Sequence, residues 1–598
     1  ASATSSCQPS GTSTRTSVQP PEGALPADFG STSFVMAGIL LGERQRGSPV
    51  GAIVHTMLIS FALALLATLS PATGAGPAAD PVTPQEADAA RPNILFILTD
   101  DQRVDTIGAW GNQGIATPNI DRIAAAGTSF RRNYCMGSPH GAVCAPSRAM
   151  IHSGRAYHAI DHSALRDVAL LGEKLQARGY RTYGVGKWHN GQESFKRSFD
   201  EGRAVLFGGM SNHFDVPLHD VSTEGEAVKR EPVGEHSSDL FAEAAVSFLH
   251  DADANQPFFL SLALTAPHDP RDPPPSFRER EIPQLPANFK PQHPFDNGHL
   301  ALRDEKLAAW PRDPETVRRQ LADYYGLIEH MDVAIGRVLD AFESIDSERE
   351  TVIVFASDHG LAVGSHGLLG KQSVYEHSLR APLIIAAPGV PAGQHVTAMT
   401  YLLDIHPTLL ALAGPLPVVE EAPEVEVEAE EPDVEAEEPE AEPELPLEGS
   451  DLGHVARDLA PIWRGDRAEV RESIYLSMGR SQRAVTDGRW KLSVYPLIGH
   501  RQLFDLATDP RELINLAERP PFQHHAARLA IQLDTWRERT GDPDPLTVET
   551  LKPFHVDLTD RKRTPDRWQP EWIRETFFDP PEPEAVPPSG EASEPKKG

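Results

Sequence analysis

Arg91-Pro92-Asn93-Ile94-Leu95-Phe96-Ile97-Leu98-Thr99-Asp100-Asp101-Gln102 is the stretch that decides the fold class. A short apolar run that ends abruptly in polar residues reads as a strand buried on both faces. That is the situation of a parallel sheet covered by helices. Ligands of such sheets gather at the carboxyl ends of the strands. Asp100 and Asp101 stand at that end.

Working outward, the same unit recurs. Thr117-Pro118-Asn119-Ile120-Asp121-Arg122-Ile123 opens a helix. Residues 164–178 read as an amphipathic helix, and 181–185 as a strand running into Gly186-Lys187-Trp188-His189-Asn190-Gly191. Residues 238–251 are helical; 257–264 form a strand ending at Thr265-Ala266-Pro267-His268-Asp269-Pro270. A long helix over 317–342 precedes a buried strand, 351–356, that ends at Ser357-Asp358-His359-Gly360. Residues 401–410 read as a further helix. Strands alternating with helices give an α/β domain with a large, mostly parallel central sheet. After residue 449, short strands at 473–477, 483–485, 490–495 and 502–505, a Thr486-Asp487-Gly488-Arg489 hairpin turn and a helix over 522–540 predict a small C-terminal antiparallel subdomain.

Between Asp100 and the Gly-Lys-Trp-His segment lies Cys144-Ala145-Pro146-Ser147-Arg148, continuing to Ser153-Gly154-Arg155. Pro146 presets φ for a first helical turn and removes an N–H that would have no partner there. The residue before that turn then sits at a helix N-terminus, where free N–H groups favour an anion. A buried structural cysteine beside a surface arginine is the plainer reading of this segment alone.

Three groups of candidates follow strand ends or helix starts and can converge at one sheet edge. Asp100, Asp101, Asp358 and His359 form the first. Three carboxylates repel unless a cation offsets them, and an oxygen-rich set selects a hard ion. An Asp-Asp pair after a strand can also be a turn or cap. The second group is cationic: Arg148, Lys187 and Lys371, the last ending Ser365-His366-Gly367-Leu368-Leu369-Gly370-Lys371. The third is His189 and His268, candidates for acid–base work. His213 and Asn190 are weaker candidates for the same surroundings.

The chain has 598 residues, enough for a large core and more than one domain. Its formal net charge of −31 argues against nucleic-acid binding. Fourteen of those charges lie in residues 420–444, an insert of Glu, Pro, Ala and Val without Lys or Arg; such low complexity buries little. Its three cysteines are Cys7, Cys135 and Cys144, which gives no disulfide framework. Residues 1–56 read as an upstream extension or disordered, with a true start at Met36 or Met57. Residues 57–76 read as a secretory signal: an apolar run from Met57 to Leu69 is followed by small residues. A membrane anchor needs ~20 apolar residues, which this run barely reaches even extended backward. The expected organisation is therefore linker 77–90, catalytic domain 91–415, acidic insert 416–448, C-terminal subdomain 449–545 and extended tail 546–598. Export and no stable membrane insertion are expected.

The Cys-x-Pro-Ser-Arg segment with its Ser-Gly-Arg resembles the signature of the type I sulfatases. The likeness extends through Asp100-Asp101-Gln102, Gly-Lys-Trp-His, Pro267-His268, Asp358-His359-Gly360, the Lys371 segment and Leu503-Phe504-Asp505-Leu506-Ala507-Thr508-Asp509-Pro510. It covers about residues 91–517, interrupted by the insert. Ser153 stands where Thr is common, and His359 where Asn is commoner. The resemblance implies an alkaline-phosphatase-like sandwich and a sulfatase acting on a sulfated small molecule or glycan. It implies that Cys144 is oxidised by a formylglycine-generating enzyme and that the resulting formylglycine, hydrated, is the nucleophile. It implies one Ca²⁺ held by Asp100, Asp101, Asp358 and His359 with the Cys144 position. Arg148 would then stabilise the nucleophile, Lys187 and Lys371 would hold the sulfate, His268 would protonate the leaving alcohol and His189 would take a proton from the second hydroxyl. Two rivals stand beside it. One is a phosphatase or phosphonate monoester hydrolase on the same scaffold. The other is a non-catalytic sulfoglycan-binding protein, which would have lost a site residue.

Overall fold

The computed structural model describes residues 91–416, 453–559 and 561–578. The expected signal peptide and linker, and the acidic insert beyond residue 416, lie outside the described residues. In chain order the strands are β1 (Asn93–Thr99), β2 (Thr128–Tyr134), β3 (Gly137–Ser138), β4 (Arg181–Lys187), β5 (Glu201–Leu206), β6 (His219–Val221), β7 (Ala227–Lys229), β8 (Phe258–Ala263), β9 (Thr351–Ser357), β10 (Leu383–Ala386), β11 (Gln394–Tyr401), β12 (Ile474–Met478), β13 (Gln482–Thr486), β14 (Trp490–Tyr495) and β15 (His500–Asp505).

Ten strands make one sheet, in the order β11-β2-β10-β9-β1-β8-β4-β5-β6-β7. Its middle, β9-β1-β8-β4-β5, is parallel throughout. Antiparallel pairing enters on both flanks, through β10 on one side and β6 and β7 on the other. The sheet is thus mixed, with the parallel part where the candidate residues are. Every residue of β1 is buried. Its side chains alternate between two cores, as a strand covered on both faces requires. Ile94, Phe96 and Leu98 pack with Val143, Met150 and Ile151 of the Cys144 segment. Leu95 and Ile97 pack with Ile120, Ile123, Phe241 and Ile335 from helices on the opposite face.

Several expected elements shift. The long helix spans Pro314–Glu343; Pro314 opens it and Asp313 caps it by accepting the Thr316 N–H. The expected helix over 164–178 is only Leu171–Gln176. Leu165 before it is buried with φ 56, in the left-handed region, which no continuous right-handed helix accommodates. Over 401–410, Tyr401 ends β11, a 3₁₀ turn covers Leu402–Asp404, and the helix is Ile405–Leu412.

The smaller sheet, β15-β14-β13-β12-β3, is antiparallel except where β12 runs parallel to β3. It is not self-contained, because β3 belongs to the segment just before Cys144. Gly137 makes the junction possible. It has φ 118, and a Cβ there would lie 1.8 Å from the Ser477 carbonyl oxygen. The tail expectation also changes: residues 561–578 carry the helix Glu571–Phe577, whose Ile573 and Phe577 are buried with Leu307 and Val317. Among the described residues both cysteines, Cys135 and Cys144, are free, and no helix is long and apolar enough to cross a membrane.

Candidate active site

The helix Cys144–Ser153 begins with the cysteine itself, and Pro146 stands third rather than first. The Ser147 N–H makes the first helical bond, to the Val143 carbonyl at 3.1 Å. The Ser147 hydroxyl donates to the Asp358 carbonyl at 2.6 Å, tying this helix to the end of β9. The sulfur therefore lies against the carboxyl ends of β1 and β9. It is 3.2 Å from Asp100 Oδ1, 3.2 Å from His359 Nε2 and 3.3 Å from Lys371 Nζ.

Asp100, Asp101, Cys144, Asp358 and His359 offer ligand atoms that all lie within 4.8 Å of one another, and all five are buried. Asp101 adopts φ 67. Its carbonyl accepts the Tyr324 hydroxyl at 2.7 Å, and its N–H donates to Asp358 Oδ1 at 3.2 Å, so the unusual backbone is held from both sides. Burial pushes the Asp100 carboxyl up, yet Lys187, with His268, Arg148 and Lys371, holds it well below the carboxylate range. Asp101 goes the other way. Burial, and the nearby Asp100 and Asp358, drive it well above that range against the pull of Lys371. Asp101 is thus the carboxyl of the cluster whose charge is least compensated. An oxygen-rich pocket of three carboxylates with one imidazole fits a hard divalent ion.

The cations bracket this cluster. Lys187 Nζ donates to Asp100 Oδ2, and Lys371 Nζ donates to Asp101 Oδ1 at 2.8 Å. Arg148 donates Nε to Asp358 Oδ2 at 3.1 Å and Nη1 to the Lys187 carbonyl at 2.7 Å. Its Nη2 is buried without a hydrogen-bond partner. Burial opposes the Arg148 charge, but Asp358 and Asp100 raise its pKa. Burial and Asp100 push the Cys144 thiol well above its ordinary value.

A cavity of about 300 Å³ opens over the sulfur. Cys144, Lys371, His189 and His268 line it, with Met210, Leu302 and Arg303. His268 donates Nδ1–H to the Asp269 carbonyl at 2.7 Å, which leaves Nε2 on the side of Asp101 Oδ2, 3.9 Å away. Burial, then Lys371, pushes the His268 pKa down to about 3. Burial, then Lys187 and Arg148, takes His189 well below its usual value. His189 has φ 74, and Gly209 faces its ring: a Cβ there would lie 2.3 Å from Nε2.

Every residue of the three candidate groups is thus brought together. His213 and Asn190 do not line the cavity. His213 lies behind it, donating Nε2–H to the His268 carbonyl at 2.9 Å and accepting from Ser237 Oγ at Nδ1. Asn190 is fully buried and donates to the carbonyls of Ala145 and His162. Sequence reasoning missed Gly209 and Arg303, and gave Ser147, which stands in the quoted motif, no role of its own. Arg303 Nη1 donates to Asp269 at 2.9 Å and to Asp304 at 3.0 Å, and its Nε donates to Asp566 at 2.7 Å. Only the Gly208-Gly209 pair carried a visible signal, a close backbone approach.

Comparisons with known proteins bear on the family and the fold. The sequence profile described as Sulfatase matches residues 92–415, more than half of the chain. An N-acetylglucosamine-6-O-sulfatase of Bacteroides thetaiotaomicron is 25% identical over 544 residues, covering 78% of this chain and 90% of that protein. An arylsulfatase of Clostridium perfringens is 26% identical over 476 residues, 71% of this chain and 90% of that one. Among solved structures, a protein in complex with its substrate D-glucosamine-2-N,6-O-disulfate superposes with a TM-score of 0.61 at 23% identity, covering 77% of this chain and 100% of that chain. At that identity the likeness speaks for the fold.

Proposed function

The chain belongs to the sulfatase family and is a sulfuric ester hydrolase; on that premise we propose that it cleaves sulfate esters of carbohydrates through a formylglycine made from Cys144. The observation that carries the reading is the place of the Cys144 sulfur, at the floor of a cavity, between the acidic cluster and Lys371. The aldehyde hydrate at that position would supply the attacking hydroxyl. Asp100, Asp101, Asp358 and His359 would hold the divalent ion, Ca²⁺ suiting their oxygen-rich set, and that ion would polarise the sulfate oxygens.

The chain's own groups divide the remaining work. Lys187 and Lys371 present ammonium groups on either side of the cluster and orient the sulfate. Arg148 is locked by Asp358 and the Lys187 carbonyl, and its Nη2 is a buried donor kept for an anionic oxygen. The His268 tautomer is fixed by the Asp269 carbonyl, so Nε2 is the atom that carries a proton to the leaving oxygen. In the free site His268 is uncharged at neutral pH; a bound anion favours its protonation. His189, on the same cavity, serves the second proton transfer. The carbohydrate class is supported by the relatives, whose names include an N-acetylglucosamine-6-O-sulfatase.

Sulfate release decides the matter. Protein produced with a formylglycine-generating enzyme should free sulfate from sulfated sugars, and matched phosphate esters should react far more slowly. The Cys144 peptide should carry an aldehyde by mass spectrometry. Full activity with an unmodified thiol would overturn the nucleophile; preference for the phosphate esters would overturn the substrate class.

A further inference from the structure

A larger concavity, about 760 Å³, opens elsewhere and shares no lining residue with the Cys144 cavity. Its walls come from the loop after β1, from β2, from residues 284–288, from the short helix Glu376–Leu379 and from residues 510–512. The walls carry four arginines, Arg103, Arg131, Arg380 and Arg511, against three carboxylates. Asp105 pairs with Arg103 at 2.7 Å, and Glu376 and Glu512 share Lys491 at 3.0 and 2.8 Å.

Among the described residues, the other three arginines hold no carboxylate at hydrogen-bond distance. Arg131 gives an N–H to the Trp110 carbonyl at 3.0 Å and stacks 5.3 Å over the Trp110 ring, contacts that fix it without neutralising it. Arg380 gives Nε to the Arg131 carbonyl at 2.6 Å. Its Nη1 stays 3.8 Å from Glu376, a carboxylate already taken by Lys491 and Tyr134. The Arg511 side chain is exposed. Burial, and the proximity of Arg380, lower the Arg131 pKa. His377 lines the same cleft; it is 7% exposed and its Nε2 has no hydrogen-bond partner. On a chain of net charge −31, a basic concavity runs against the general surface.

We infer that this cleft is a second, non-catalytic binding site for an anionic sugar unit, whose carboxylate or sulfate is taken by Arg131, Arg380 and Arg511. The planar guanidinium fork matches the geometry of either anion. The space is far larger than one inorganic ion needs and lies within the range of small-ligand sites. The amides of Gln113 and Gln284 on its walls suit sugar hydroxyls. The sugar half of the assignment rests on the carbohydrate reading above; the anion half rests on the arginines alone.

Calorimetric titration of the full-length Cys144→Ala protein tests it. One probe is a desulfated chondroitin oligosaccharide, whose only anions are carboxylates. The second is a carrageenan oligosaccharide, whose only anions are sulfates, and maltohexaose is the neutral control. At least one anionic probe should bind, more weakly as salt rises. Arg131→Gln with Arg511→Gln should weaken that binding by about tenfold, the scale of one lost charge-assisted hydrogen bond. In the Cys144-containing enzyme the same pair should leave turnover of a small aryl sulfate unchanged. Arg511→Gln alone, at an exposed position that cannot disturb folding, should weaken binding by about threefold. Unchanged affinity in both variants, equal affinity for maltohexaose, or no binding of either anionic probe would overturn the site. An unaltered chain that releases no sulfate would sink the catalytic reading instead and leave this test standing.

Discussion

His268 shows how much one side chain depends on its backbone. Its ring nitrogen Nδ1 is committed to the Asp269 carbonyl and its own carbonyl to His213, so Nε2 alone is left for chemistry. A sugar alkoxide is a poor leaving group and needs a proton; a nitrophenolate hardly does. General acid catalysis contributes ~10²–10⁴-fold. His268→Ala should lose that much rate on a sugar sulfate and far less on nitrophenyl sulfate, measured on one preparation; equal losses would assign it to sulfate binding. The candidate residues were legible because short motifs tie them to strand ends. His213 was misplaced because a histidine's neighbours in space, here Ser237 and His268, leave no mark in its flanking sequence. Arg303 was invisible for the same reason: its partners Asp269 and Asp566 are far apart in the chain.

The long helix Pro314–Glu343 carries two carboxylates that behave differently from surface ones. Asp332 is fully buried and accepts the N–H groups of Asn119 at 3.1 Å and Ile120 at 2.8 Å, satisfying the start of the neighbouring helix Pro118–Ala126. Asp332→Ala leaves those donors buried and unpaired and should cost about 2–4 kcal/mol in urea unfolding. A loss below roughly 0.5 kcal/mol would show that water takes over. Asp323 has its pKa raised to about 7 by burial, against Arg278 and Arg271. A carboxyl raised on folding binds more protons folded than unfolded, so it favours the fold below pH 4 and progressively less up to pH 7. Asp323→Asn should remove that part of the pH dependence, gaining of order 1–3 kcal/mol at pH 8 relative to pH 4. Parallel curves for the two proteins would refute it. At this scale four of the five parallel strands in the middle of the sheet were legible, β1, β8 and β9 because they are short apolar runs with polar ends. β2, β3, β5, β6, β7, β10 and β11 escaped notice. β2 reads Thr-Ser-Phe-Arg-Arg-Asn-Tyr, and Thr128, Ser129 and Asn133 are buried by cross-strand partners that only the assembled sheet supplies.

For the whole molecule, the two sheets and the C-terminal helix act on one site. The segment after residue 560 buries Ile573, Phe577 and Phe578 and places Asp566 on Arg303 at the cavity rim. Ending the chain at residue 560 should cost of order 3 kcal/mol or more in stability, from the apolar burial lost. It should also raise KM for sugar sulfates more than it lowers kcat; unchanged Tm and KM would show the segment to be passive. The pairing of β1 with β9 has a consequence in time. Cys144 is 2% exposed, and the groups that close over it, His359 and Lys371, follow it by 215 and 227 residues. On a ribosome adding roughly 5–20 residues per second, those residues emerge roughly 10–45 s after the cysteine. Until then the Cys144 segment has no β9 to fold against. Any enzyme that must reach the sulfur has that interval, and a chain that misses it is sealed around a thiol.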